Sequence, residues 1–272
     1  MGVMLFFSSL VACSVCTVLG LIEGIPKECP RPAFLITFWS LFVCGILNFV
    51  QLDLMARAMR HGPNGIVWSL IQTSFIFPFV TGVIFFGAKC SWLNLTGAAG
   101  IIVALVILGM QKSNASDGGR WKLFAFLSFL STGIAQLLSN LPSYYPEAEV
   151  ITSTWRSVIF ALGLAAGTVG GTLIFQRKQL FSALYSNIRN PLMWVYCFTL
   201  QLIEILASIF LLYPGMNLLA GAGAGAIAYP LVVASGIVGF EFYAFVFLRE
   251  KRNLPQIAAF ILTLFGIAAL CF

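Results

Sequence analysis

Charge is what this sequence has least of. Only 9% of its 272 residues are Asp, Glu, Lys or Arg, nine of them acidic, and there is one histidine, His61. Soluble domains carry roughly 25% charged residues, so a soluble fold is excluded. The chain has no HExxH or GxSxG pattern and no paired intramembrane aspartates, so it is read as a protein other than an enzyme. It also lacks a Walker motif, which rules out ATP-driven transport by this chain, and no cofactor or metal is expected. Seven cysteines form no disulfide framework. Cys13, Cys16, Cys44, Cys197 and Cys271 sit in apolar runs, where a thiol behaves as a small hydrophobe. Cys13-Ser-Val-Cys16 has redox spacing without the βαβ context that motif needs. Cys29 and Cys90 fall in polar breaks, and nothing in the sequence brings them together. The sequons at Asn94 and Asn114 are weak signals, one in an apolar run and the other in a loop read as cytoplasmic.

What the chain has instead is hydrocarbon: 60% hydrophobic residues and a mean hydropathy of +0.98. Apolar runs occupy 2–22, 33–58, 63–88, 91–111, 120–142, 150–175, 190–214, 217–248 and 254–272. Each can cross a hydrocarbon layer of about 30 Å as a helix, and the short alternating segments of a β-barrel are absent. The reading is an all-α, polytopic membrane protein of about nine helices in a lipid bilayer. No basic residue precedes the first run, so it is not read as a signal peptide.

Basic residues in the breaks set an expected orientation. With nine spans, one set of breaks holds Arg57, Arg60, Lys112, Arg120, Lys122, Arg177, Lys178, Arg189, Arg249, Lys251 and Arg252, against Lys27, Arg31 and Lys89 in the other. This bias predicts a cytoplasmic N-terminus and an external C-terminus, in a bacterial inner membrane. The net charge of +6 is thus a topology signal, and no nucleic-acid partner follows from it.

"MRHGPNGIVWSLIQTSFIFPFVTGVIFFGAKCSWLNLTGAAG" from Met59 parallels "LAGAGAGAIAYPLVVASGIVGFEFYAFVFLREKRNLPQIAAF" from Leu219. Both pass from a Gly-rich start through a long apolar span and a basic break into another span. Superposing the breaks places Lys89 on Lys251 and Ser91 on Asn253, and matches spans 1–4 with spans 6–9. Matched copies five spans apart insert in opposite directions, which makes an inverted repeat. The halves are 1–119 and 120–272, with span 5 (120–142) lacking a counterpart. That counterpart would lie before Met1, so either the protein lacks it or the sequence begins after it.

"MARAMRHGPNGIVWSLIQTSFIFPFVTGVIFFGAKCSWLNLTGAAGIIVALVILGM" resembles a half-repeat of the drug/metabolite transporter superfamily, and "LREKRNLPQIAAFILTLFGIAAL" resembles the end of its second half. "FLSTGIAQLLSNLPSYYPEA" and "REKRN" are distantly similar to its rhamnose and sugar-uptake branch. The resemblance implies a secondary-transporter fold and leaves the cargo open. That family usually has ten helices, against nine here, and Lys89 stands where an acidic residue often follows the fourth span.

Polar residues inside the runs are the candidate functional groups. Gln201, Glu204 and Ser208 share one helical face, with Glu204 on the order of 13 Å from the end of its run at 1.5 Å per residue. Ionisable groups in membrane spans point to function, and the alternative is a carboxylate satisfied by one neighbour for packing. Arg156 has a similar expected depth. It is either a partner of Glu204 and a cargo ligand, or an arginine snorkelling to the interface. Glu241 needs a partner on another helix, or carries a proton, or reaches cytoplasmic water. Asp53 and Arg57, at i and i+4, form a local pair or a gate. Asn48 and Gln51 could line a cavity. Thr132, Gln136 and Asn140 lie on one face, and Trp68, Gln72 and Tyr229 are candidate wall residues. For single polar groups, helix-to-helix hydrogen bonding is the alternative reading. "GAGAGAIAYP" (221–230) allows close helix approach or a broken helix, and Pro78 and Pro230 each free a carbonyl for a hinge or ligand.

These readings combine into a secondary carrier working by alternating access. Its cargo is a small polar metabolite, a sugar among the candidates, coupled to protons (symport) through Glu204 or Glu241. The alternatives are a uniporter or exchanger, or a membrane scaffold or lipid-binding protein, as monomer or homodimer. A polar cavity reaching Glu204 would favour the carrier, and a dry centre the scaffold.

Overall fold

The structure, a computed structural model, describes residues 2–24, 26, 29–62, 64–109, 120–175, 188–246 and 254–272. The side chains of 2, 3, 65, 66, 108, 109, 175, 240, 241 and 243–245 fall outside that description. Every regular element among the described residues is helical. In chain order they are α1 (Gly2–Glu23), α2 (Arg31–His61), α3 (Asn64–Gln72), a 3-10 turn Thr73–Phe75, α4 (Ile76–Phe85), α5 (Trp92–Gly109) and α6 (Arg120–Asn140). Two further 3-10 turns, Leu141–Tyr144 and Pro146–Val150, lead to α7 (Ser153–Phe175). Then come α8 (Pro191–Ala207), a π turn Ser208–Leu212, α9 (Tyr213–Gly221), a 3-10 turn Gly225–Ile227, α10 (Ala228–Val246) and α11 (Leu254–Cys271). Among the described residues, seven stretches are long and apolar enough to cross a membrane: Met4–Glu23, Arg31–His61, Val67–Phe85, Arg120–Tyr144, Ser153–Ile174, Pro191–Gly221 and Leu254–Cys271. Trp92–Ile107 and Gly225–Gly239 are apolar but shorter.

The helices form two compact units, Met1–Asp53 with Leu137–Leu218, and Leu54–Gln136 with Leu219–Phe272. The sequence halves 1–119 and 120–272 are a different partition, because each unit draws helices from both. The basic residues Lys27, Lys112, Arg177, Lys178, Arg249, Lys251 and Arg252 lie outside the described residues, as do Asn114 and Asn253.

In unit 1, α1 runs antiparallel to α7 through Ala12, Cys16, Val158 and Ala161, with Ile205 of α8 joining the cluster. Trp155 closes one end, stacking on Gly20 and donating its indole N–H to the Gly24 carbonyl at 2.8 Å. The backbones of α2 and α7 touch. A Cβ at Gly163 would sit 2.0 Å from the Phe42 carbonyl oxygen, and one at Gly45 would sit 2.3 Å from that of Phe160. Small residues are how membrane helices approach this closely, since lipid supplies no hydrophobic drive between them.

Unit 2 is held by the antiparallel pair α5 and α11. Gly97 and Gly266 meet reciprocally, each would-be Cβ falling within 3.0 Å of the other's carbonyl oxygen. Asn94 secures two helix ends at once. Its Oδ1 accepts from the Ser91 N–H (2.8 Å), and its Nδ2 donates to the terminal carbonyls Ala269 (3.4 Å) and Leu270 (3.1 Å) of α11. Those carbonyls have no partner within their own helix. With its amide engaged and buried, Asn94 is a capping residue, which explains why its sequon is a weak signal.

The junction of the seventh and eighth apolar runs differs from expectation. The runs 190–214 and 217–248 place the break beside Pro214, but the helical stretch continues through Pro214 to Gly221. The turn lies at Gly223, whose φ of 74° suits glycine. Gly223 N–H donates to Ala220 and Ala224 N–H to Leu219, an αL-type stop. "GAGAGAIAYP" is therefore a broken-helix connection.

The glycine contacts generate a paired test. Gly163→Ala should cost about 1–3 kcal/mol, because the Phe42 carbonyl must move aside. Gly170→Ala meets nothing within 4 Å and should be neutral or gain up to about 1 kcal/mol of helix propensity. Unfolding of both variants in detergent micelles, followed by circular dichroism, would separate them. Equal stability of the two would contradict the close α2–α7 approach.

Candidate functional site

Arg156 is the largest fully buried side chain among the described residues, at 1% exposure. Its position follows from local sequence. Tyr145, Ala148 and Ile151 donate their N–H groups to Pro142, Tyr145 and Ala148, winding residues 141–151 into a strap of 3-10 turns. Thr152 then caps α7, accepting the Trp155 N–H at 3.5 Å, which sets Arg156 in the first turn beneath the strap. The guanidinium donates from Nε to the Ile151 carbonyl (3.1 Å) and from Nη2 to the Ala148 carbonyl (3.0 Å). Nη1 donates to Ser143 Oγ (3.3 Å) and to Asn217 Oδ1 on α9 (2.8 Å).

All four acceptors are neutral, and no carboxylate of a described residue lies in ion-pair reach of Arg156. The snorkelling reading fails, because the side chain is buried in protein. The pairing with Glu204 is also absent. Depth along the membrane was a poor guide, because it leaves rotation about each helix axis open and the seventh span proved longer than its run. Asn217, the partner that sequence reasoning missed, lies beyond the expected helix end and so was not weighed as a group inside a span.

Glu204 lies near the middle of the 31-residue stretch Pro191–Gly221. Its Oε2 accepts a hydrogen bond from Gln201 Nε2 at 2.9 Å, so two members of the expected polar face meet. Gln201 is buried and Glu204 exposed, bordered by exposed Leu200, Ile203 and Leu206. The third member, Ser208, opens the π turn. Its N–H is shared between the Glu204 and Ile205 carbonyls, and its own carbonyl accepts the Tyr213 N–H five residues on. Pro214 supplies the cause. It has no N–H for the carbonyl one turn back and its ring crowds that carbonyl, so a wide turn before it relieves both.

Unit 2 has a comparable break. The 3-10 turn Thr73–Phe75 stands one turn before Pro78, and Ser74 Oγ donates there to Gln136 Oε1 at 3.3 Å. Gly133 on α6 permits this approach, since a Cβ there would meet the Phe77 ring at 2.5 Å. Trp68 and Gln72 are half-buried, and Tyr229 is buried near the start of α10.

The remaining candidates make local hydrogen bonds, lie half-buried on their helix, or fall outside the description. Gln51 Nε2 donates to Asn48 Oδ1 at 3.1 Å. Asn140 Nδ2 donates to the Tyr144 hydroxyl at 3.3 Å, and the Thr132 hydroxyl donates back to the Ser128 carbonyl. Asp53 and Arg57 are half-buried on α2. Glu241 sits on α10, but its side chain lies outside those described. Cys13 and Cys16 are free thiols in the α1–α7 interface, and Cys29 and Cys90 are free as well.

No family model and no curated protein matches this chain. A solved structure described only as "Crystal structure of protein" is similar over 100% of this chain and 88% of its own, with a TM-score of 0.59 at 13% identity. A likeness at that identity concerns the fold.

The Arg156 geometry gives a second test. Asn217→Leu removes one acceptor and leaves a buried guanidinium N–H unpaired, a loss of about 1–3 kcal/mol. Arg156→Lys cannot reproduce the fork and should also destabilise. The double variant should be less destabilised than the sum of the two, by at least about 0.5 kcal/mol, because both break one network. Strict additivity in a thermal-unfolding cycle would contradict the contact.

Proposed function

We propose that the protein is a secondary carrier that moves a small polar metabolite across a bilayer by alternating access, coupled to protons through Glu204. The observation that carries this reading is Glu204 itself: an exposed carboxylate in mid-span, held by one amide and by no cation among the described residues. A group so costly in a membrane is retained for something it does. Packing does not explain it, since its side chain is the exposed partner and Gln201 the buried one.

The pairing of helices supports the inverted repeat. Spans 1 and 6 (α1 and α7) pack antiparallel, as do spans 4 and 9 (α5 and α11), and each pair is a matched couple in the repeat. Span 3 packs on span 8, with α4 against the turn Gly225–Ile227 and α10 against the turn Thr73–Phe75. Both of those turns precede a proline, Pro78 or Pro230. Broken helices that meet in this way suit transporters, whose irregular backbone is tolerated where it lines a polar site. On this reading nine spans put the N-terminus in the cytoplasm and the C-terminus outside, and the fold is that of the drug/metabolite transporter superfamily.

Arg156 leaves the group of cargo ligands, because its donors are spent on protein acceptors. The cargo contacts we assign are Gln201 and Glu204, which meet on one face of α8. Asp53 and Arg57 are the gating pair, and Glu241 is the second proton site. The Gln201–Glu204 pair offers one amide and one carboxylate, which suits a hydroxylated or amine-bearing solute.

A thermal-shift screen of sugars, amino acids and amines on the purified protein tests the reading. A true cargo at 100 times its dissociation constant adds about 2.7 kcal/mol, enough for a shift of several degrees. Glu204→Gln and Gln201→Ala should each shrink that shift. A solute that stabilises both variants as well as the wild type would remove these residues from the site.

A further inference from the structure

We infer that the span Pro191–Gly221 works as a jointed rod, with α9 held fixed and α8, carrying Gln201 and Glu204, turning about the π turn Ser208–Leu212. This rests on the carrier reading and names its moving part. Three observations lead to it. First, α9 is anchored: Tyr213 and Met216 are 3% and 1% exposed, and Asn217 is bound by the buried Arg156. Second, the π turn contains no buried residue, and Phe210 and Leu211 are 69% and 72% exposed. It is thinly packed, with half-buried Ile209 resting on the α1–α7 cluster, so local rearrangement there costs little. Third, α8 touches the rest of unit 1 along one narrow stripe, since Cys197, Gln201 and Ile205 are its only buried residues.

The geometry converts a small backbone change into a large side-chain displacement. A π turn holds one more residue than an α turn, and each residue in an α-helix subtends 100°. Tightening the turn to α geometry, with α9 fixed, rotates α8 by roughly a quarter turn about its axis. Glu204 lies one turn before the joint and moves with it. Its main-chain carbonyl accepts the first N–H of the π turn, so the Glu204 backbone is tied directly to the hinge, and Gln201 on the same helix holds its carboxylate. Pro214 sets the bias between the two geometries, because it removes the N–H that α geometry would use at that position.

The experiment is carbodiimide labelling of Glu204 in protein reconstituted into liposomes. A water-soluble carbodiimide with an amine nucleophile serves as the probe, and adducts are mapped by mass spectrometry. Deletion of Leu211 removes the extra residue without touching Gln201, Glu204 or Tyr213. It should change Glu204 labelling at least fivefold while the melting temperature stays within a few degrees. Pro214→Ala keeps every residue and restores the N–H, and it should change labelling at least twofold in the same direction. Unchanged labelling in a folded deletion overturns the joint. If the deletion fails to fold, Pro214→Ala decides alone, and unchanged labelling there overturns it equally. A folded deletion with unchanged labelling and a large loss of stability would mean that α9 turned and broke the Arg156–Asn217 contact, which also overturns it. Uptake of the stabilising solute is measured in parallel: flux with unchanged labelling sinks the joint alone, whereas no flux sinks the carrier.

Discussion

A guanidinium buried away from water and bonded only to neutral oxygens is the interaction on which unit 1 depends. Burying a charge is costly unless every donor finds an acceptor, and here the Ala148 and Ile151 carbonyls, Ser143 and Asn217 meet that demand. The acceptors come from three places: the strap, the end of the strap beside α7, and α9. Moving any one of them strands part of a buried cation, so the cost of disorder is shared among all three. Arg156 thereby fixes which segments of the unit stay still. On the reading proposed above, its part is structural, holding the strap and α9 together while α8 turns.

The second constraint is the backbone. Inside a bilayer each peptide group needs a partner, and a proline removes one donor. The chain meets this in two ways. At Pro214 the helix widens into a π turn and continues. At Pro78 it tightens into a 3-10 turn whose Ser74 side chain finds Gln136. Each proline follows a break that opens near a serine, Ser208 before Pro214 and Ser74 before Pro78, which links the cost of breaking a helix to the placement of these polar groups.

The apolar runs were legible in the sequence because span length is a one-dimensional property of hydropathy. Their ends and faces were less so. Pro214 read as a stop, since helices usually end near proline, yet a wider turn carried the helix on to Gly221 and brought Asn217 inside the span. The Gln201–Glu204 contact was visible as an i, i+3 pair on one helix. The Arg156–Asn217 contact was not, because it spans 61 residues and depends on a strap of 3-10 turns that no periodicity announces. The bond between Asn48 and Gln51, read singly as cavity groups, was likewise available as an i, i+3 pair on one helix. Gly45 and Gly163 could not be matched in advance, because a glycine declares that a close approach is possible without naming its partner.

The proposed function turns on the carboxylate of Glu204. The most direct measurement is solute accumulation in liposomes against solute counterflow, for wild-type protein and Glu204→Gln side by side. Acidifying the outside should drive the wild type to accumulate the solute well above equilibrium. Glu204→Gln should retain counterflow, which needs no net proton movement, and fail to accumulate. A Glu204→Gln protein that still concentrates its solute in response to the proton gradient would contradict the assignment of Glu204 as the coupling group.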